Sequence, residues 1–278
     1  MAADGAYRWQ GMASAPDPQR VAAIDAAWRD ADPAVFAEPA RAATLDRLDQ
    51  ALSACRTGDL AEAGAQLTQA RSVLEGLRPE ALEPRRGLAG LFDSRGDRLK
   101  RFRVAFDRAA DALVEAARGL GGRVQTARQR SDILDARWTD IRDAVIDLDA
   151  HLQVAARRLS GHAGETPHPF ETRRAGLDAC RAAAQQALPL IRGVQGADAR
   201  SAAALEACIT GITACREDWT KALGLGGRRP KRVRPDPVQL ARLRDDAMAR
   251  IDWALAEVTA SHAHRAGLES RLAALRTP

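Results

Sequence analysis

The feature that most constrains this chain is an apolar repeat between residues 134 and 159. Leu134, Trp138, Ile141, Val145, Leu148, Leu152, Ala155 and Leu159 follow one another at alternating steps of four and three. An α-helix turns every 3.6 residues, so this spacing lines one face of a single helix. A face of that size is costly in water, and it calls for a partner helix. The repeat belongs to a longer stretch, 97–160. Upstream, Leu99, Phe102, Phe106, Ala109, Leu113, Ala116 and Leu120 keep the same rhythm before RGLGG interrupts it. Val124 resumes the stripe four residues after Leu120, a phase slip of the stutter kind. Two geometries follow. One is a continuous helix ~96 Å long. The other is an antiparallel pair folded back at Gly121-Gly122.

The rest of the chain reads as helices separated by breaks. Residues 1–18, with Tyr7, Trp9 and two prolines, read as a flexible arm. Asp17-Pro18 is a helix start in the order cap, then proline. Val21, Ile24 and Trp28 then mark a short amphipathic helix. Asp32-Pro33 ends it, and Pro39 interrupts again. Leu45, Leu48, Leu52 and Cys55 form one stripe; Leu60, Ala63, Leu67, Ala70 and Leu74 form another. Thr57-Gly58-Asp59 between them reads as a turn, so 19–78 reads as an N-terminal helical hairpin region. Residues 79–98 form a basic connector broken by Pro79 and Pro84, whose Leu88, Leu91 and Phe92 need an apolar surface. The core of long helices is 99–223, interrupted by a loop at 161–170. Its second part carries Leu177, Cys180, Ala184, Leu188 and Ile191, then Leu205, Cys208, Ile212, Cys215, Trp219 and Ala222. Pro189 predicts a kink or an early end there, and Gly193–Gly196 a break. A Gly/Pro-rich basic stretch, 224–237, reads as a flexible exposed linker, and 238–278 as a C-terminal helix.

The fold class is therefore all-α: an elongated helical bundle with long antiparallel coiled-coil helices. Composition agrees, with 28% charged and only 4% aromatic residues. No stretch approaches the ~20 apolar residues of a membrane span, and the N-terminus has no signal-type apolar core. These features point to a soluble, cytoplasmic protein.

Charge is unevenly placed. Arg85 to Arg103 holds seven basic residues against Asp93 and Asp97, and Arg228 to Arg234 holds five with no acid. The net charge is +5, so the remainder is acidic. Such runs are often solvated connectors. They are also where phosphate, a membrane surface or an acidic protein would bind. The candidate contact surface is Arg85, Arg86, Arg95, Arg98, Lys100, Arg101, Arg228, Arg229, Lys231, Arg232 and Arg234.

No catalytic constellation is legible. There is no phosphate-binding GxxxxGK[ST] loop, no GxGxxG, no HExxH and no GxSxG. Asp143 and Asp147 share a helix face but lie beside Arg137 and Arg142, which reads as a solvated face. The cysteines, Cys55, Cys180, Cys208 and Cys215, include no CxxC, and the histidines add no metal-ligand spacing. Buried, reduced thiols are the expectation. A rival enzymatic reading makes Cys208 and Cys215 reductants of a toxic oxyanion. No catalytic, cofactor-binding or metal-binding residue is assigned, and no cofactor.

Gly90-Leu91-Phe92 followed by Leu99-Lys100-Arg101-Phe102 and a long heptad helix resembles the toxic-anion (tellurite) resistance family often called TelA. Leu190 to Val194, followed by Ser201 and Leu205, is similar to that family's later Leu-Ile-x-Gly-Val segment. The resemblance covers roughly 86–223. It implies a bacterial, all-helical stress-response protein that acts without a known catalytic residue set, through protein–protein contacts or self-association. It also implies a continuous helix across Gly121-Gly122. The alternative is a helical scaffold or adaptor whose basic segments meet an acidic partner, a membrane surface or, less readily, nucleic acid.

Overall fold

The structure, a computed structural model, describes residues 16–28, 33–56, 59–83, 94–160, 169–227 and 229–276. Outside these lie most of the N-terminal arm, the turn at 57–58, the connector from 84 to 93 with Arg85 and Arg86, loop residues 161–168, and Arg228. Among the described residues the chain is all-α and contains no strand. Six α-helices follow in order: α1 (Pro18–Ala27), α2 (Glu38–Cys55), α3 (Asp59–Gly76), α4 (Arg95–Ser160), α5 (Pro169–Ala222) and α6 (Pro237–Ala274). Short 3-10 turns cover Pro33–Val35 and Pro79–Leu82.

Helix starts follow local chemistry. The Asp17 carboxylate accepts from the Gln19 amide at 2.9 Å, and the Asp236 carboxylate accepts from the Val238 amide at 2.9 Å. In each case a proline follows the cap, where a missing N–H costs nothing. Ser94 caps α4: its hydroxyl accepts from the Asp97 amide and donates to the Asp97 carboxylate. Pro39 does not interrupt a helix. It occupies the first turn of α2, which begins at Glu38.

One open alternative and one expectation are decided by the same physical cause. Helix α4 runs unbroken through Gly121 and Gly122, so the hairpin alternative is excluded. Helix α5 runs through Pro189, Gly193 and Gly196, so neither the early end nor the break occurs. Each glycine costs about 1 kcal/mol and an internal proline about 3 kcal/mol. Leu120, Val124, Leu188, Leu190 and Ile191 flank those positions and are fully or nearly fully buried. At roughly 1.5–3 kcal/mol each, their burial outweighs the local penalties. Pro189 itself is exposed.

The chain forms two compact units, each assembled from separated stretches. The first draws on Met1–Arg56, Arg130–Gly196 and Arg265–Pro278; the second on Thr57–Gln129 and Ala197–His264. In the first unit, Leu48, Leu52, Leu134, Ile141, Leu188, Ile191, Leu268 and Leu272 share one core. Val21, Ile24, Leu148, Val154, Phe170 and Leu177 share an adjoining one. Arg181 pairs with Asp149, Arg192 with Asp135, and Gln195 donates to the Ser131 carbonyl at 2.9 Å. The α4 partner number falls as the α5 number rises, so these stretches are antiparallel. The predicted 134–159 seam is buried at Leu134, Trp138, Ile141, Val145, Leu148 and Ala155, and half-buried at Leu152 and Leu159.

The second unit is a four-helix bundle. Arg123 pairs with Glu62, and the Gln66 side chain lies against Gly119, so α3 and α4 are antiparallel. Arg128 pairs with Glu206, while Phe102 and Phe106 stack on Trp219 at 5.8 and 5.6 Å, so α4 and α5 are antiparallel. Arg200 faces Glu257 and Cys215 contacts the Leu243 carbonyl, which sets α6 antiparallel to α5. Arg71 pairs with Asp252, and Arg244 donates to the Leu77 carbonyl. Helix α6 thus lies back beside α3, also antiparallel, and the ring closes.

Residues 19–78, read from the sequence as one helical hairpin region, divide between the two units at Arg56–Thr57. Helix α2 gives Leu48, Ala51, Leu52 and Cys55 to the first unit. Helix α3 gives Ala63, Leu67, Ala70 and Leu74 to the second.

Candidate anion-binding surface

Because direction alternates around the second bundle, four helix termini meet at one end. These are the C-termini of α3 and α5 and the N-termini of α4 and α6. The connecting segments carry most of the basic residues singled out in the sequence. Among the described residues of 77–83, 94–103 and 221–238, eleven are Lys or Arg and four are Asp or Glu. Three of the four acids are engaged. Glu80 faces Arg244 at 3.6 Å, Asp97 is held by Ser94, and Asp236 caps α6.

The 224–237 segment is not the free linker that its composition predicts. Gly224 has φ +69°, a left-handed conformation that glycine adopts without strain. It closes α5 with Gly224 N–H to the Lys221 carbonyl and Leu225 N–H to the Thr220 carbonyl, a Schellman arrangement. The Lys231 amide returns to the Gly224 carbonyl at 2.9 Å, and Val233 packs over Gly224. Arg103 on α4 then ties the segment down. Its guanidinium donates to the Leu223 carbonyl at 2.9 and 2.5 Å and to the Lys231 carbonyl at 2.7 Å. With its backbone held inward, the strap turns Arg229, Lys231, Arg232 and Arg234 outward, all exposed. None of the four makes an ion pair within the described residues, whereas arginines elsewhere commonly face a carboxylate, as Arg118 faces Glu115. Lys100, one helical turn before Arg103, is likewise exposed, as is Arg95.

Arg98 and Arg101 point to another feature of the same end. With Arg78, Leu77, Glu80, Glu83, Phe102 and Ala105 they line a cavity of about 390 Å³. Its lining mixes three guanidiniums, of Arg78, Arg98 and Arg101, with the carboxylates of Glu80 and Glu83. The lining has no Ser, Cys or His.

The cysteine reading can be tested directly. Cys208 and Cys215 are buried, and burial pushes both thiols up to about 11. At neutral pH they are almost wholly protonated, and only the thiolate is a strong nucleophile. Burial also pushes the Cys180 thiol up. Asp143 pairs with Arg142 and Asp147 with Arg20, so the two carboxylates are each taken by a guanidinium. No group of three or more His, Cys, Asp or Glu is placed to hold a metal ion among the described residues, and no helix among them is long and apolar enough to cross a membrane.

Sequence reasoning found the basic residues but missed Arg103 as the tie. Its partners lie 120 and 128 positions away, so no local signal could reveal it. Compared with protein-family models, curated proteins and solved structures, the chain matches none.

Proposed function

We propose that this chain is a non-enzymatic helical protein that works by binding an anionic partner at the basic end of its second bundle. One observation carries the reading: Arg229, Lys231, Arg232 and Arg234 are held outward on a strap tied by Arg103, and among the described residues none of the four pairs with an acidic side chain. Fixing four like charges together costs self-repulsion, and an anion placed over them relieves it. A strap kept only as a connector gains nothing from that arrangement.

The setting we propose is resistance to toxic anions such as tellurite, which rests on the resemblance of Gly90-Leu91-Phe92, Leu99-Lys100-Arg101-Phe102 and Leu190–Val194 to that family. The test is deletion of the gene, followed by complementation with the wild-type chain and with the quadruple variant R229A/K231A/R232A/R234A. Tellurite sensitivity that appears on deletion, and that the quadruple variant fails to correct, is the expected outcome. Unchanged sensitivity to tellurite and to envelope stress on deletion would remove the resistance setting.

The same surface also serves the adaptor reading, in which the chain is a stable subunit of a larger assembly. A stoichiometric partner lost with the quadruple variant would favour it. Nucleic acid fits less well: the strap has no aromatic side chain to stack on bases and presents no reading helix.

A further inference from the structure

We infer that the anionic partner of this end is a lipid bilayer surface rich in acidic headgroups. The inference rests on the proposed anion-binding function and names the class of partner.

Three features of the second unit separate a bilayer from the other polyanions. The first is the spread of charge. The positive excess is divided between the first turns of α4, where five basic residues stand against Asp97, and the α5–α6 strap with the end of α5, where five described basic residues stand against Asp236. An extended anionic surface attracts all of them at once, since each Lys or Arg brought near it adds a separate increment. The second is what the face lacks. A stable protein interface has a desolvated apolar centre inside a polar rim. Here the apolar side chains behind the cations are buried in the bundle, as with Phe102, Leu223 and Leu240. The third is Val238. It is 62% exposed, the most exposed of the large apolar side chains described. It stands at the start of α6, directly after the strap and its cap Asp236. A single apolar residue beside a polybasic segment gains by entering the headgroup boundary, and gains nothing against a phosphate backbone in water.

The geometry also explains the tie. Arg103 spends its guanidinium on main-chain oxygens and not on a carboxylate. The strap is thereby held by neutral acceptors, and the positive charge of the end is left uncancelled. A strap held instead by ion pairs from its own side chains to a carboxylate would be neutralised by what holds it.

The experiment is co-sedimentation of the full chain with large unilamellar vesicles at about 50 mM salt. One set is phosphatidylcholine alone; the other is an equal mixture with phosphatidylglycerol. Expected are binding to the mixed vesicles only, loss of binding in about 0.5 M salt, and a roughly 500-fold weaker partition for R229A/K231A/R232A/R234A. A few-fold loss is expected for Val238→Ala. All five positions are exposed, so circular dichroism and melting should match wild type and show the loss to be one of contact. Absence of binding to the mixed vesicles, or equal binding by the quadruple variant, overturns the bilayer assignment. If vesicles fail while an acidic protein is still retained through these four residues, the bilayer is wrong and the proposed function stands. If the four substitutions alter neither, both fall.

Discussion

Arg103 and Lys231 stand 128 positions apart, yet the Arg103 guanidinium donates to the Lys231 main-chain oxygen at 2.7 Å. The same guanidinium holds the Leu223 carbonyl. One side chain therefore sets the conformation of a segment whose composition alone would leave it loose. Replacing Arg103 with Ala should free the strap while leaving the bundle folded. Trypsin reports this directly. Arg229 and Arg234 precede prolines, so cleavage in the strap should fall after Arg228, Lys231 and Arg232. Several-fold faster cleavage there, with little change in melting, is the expected result. An unchanged rate would mean that the strap is held by something else.

The glycines of the long helices should divide into two kinds. A Cβ at Gly121 or Gly122 meets nothing within 4 Å. Gly121→Ala and Gly122→Ala should each stabilise the protein by about 1 kcal/mol, read by denaturant unfolding. Gly193 differs, because a Cβ there would stand 2.9 Å from Leu268 Cδ1, in a core where Leu268 is buried. Gly193→Ala should destabilise by about 1–3 kcal/mol.

That contrast bears on what the sequence could convey. The 4-3 spacing located the buried faces of α4 and α5 almost residue by residue, because apolar period and burial share one physical cause. Breaks were read less well. Gly121-Gly122 and Pro189 are local penalties of a few kcal/mol, and the burial that overrides them comes from other helices. The turn at 57–59 marks a change of element but says nothing about which face each helix buries, so α2 and α3 read as a hairpin. The basic residues were legible as composition. Their order was not, since Arg103 reaches partners that no window of sequence contains.

The thiols should be silent in the native state. With Cys208 and Cys215 pushed up to about 11 by burial, a disulfide reagent at pH 7.5 should label neither until denaturant is added. Prompt native labelling would contradict the packing. The two differ when replaced by serine. Cys215 Sγ already lies 3.5 Å from the Leu243 carbonyl, so a serine hydroxyl there has an acceptor. Cys208→Ser should cost about 1–3 kcal/mol and Cys215→Ser less.

Asp135 gives a pH dependence with a definite sign. The Gln195 side-chain hydrogen bond, and then Arg192, hold its carboxyl below the usual carboxylate value. The unfolded state therefore takes up a proton first as pH falls. Stability from this carboxylate is complete above pH ~5 and is lost as pH falls through the lowered folded value. Because the side chain is half exposed, the effect is screened and modest. The gap in melting temperature between wild type and Asp135→Asn should narrow steadily from pH 6 to pH 3. A gap that widens toward acid would reverse the sign.

The central claim is that position, and not net charge, makes one end of the second bundle an anion-binding surface. The most direct measurement is the salt concentration at which the full chain leaves an immobilised polyanion such as heparin. Two variants of equal net charge should be compared. One is R229A/K231A/R232A/R234A. The other is R118A/R128A/R174A/R200A, whose arginines each face a carboxylate. The account predicts that the first elutes at far lower salt than wild type and that the second stays close to it. Elution of the two variants together would contradict it.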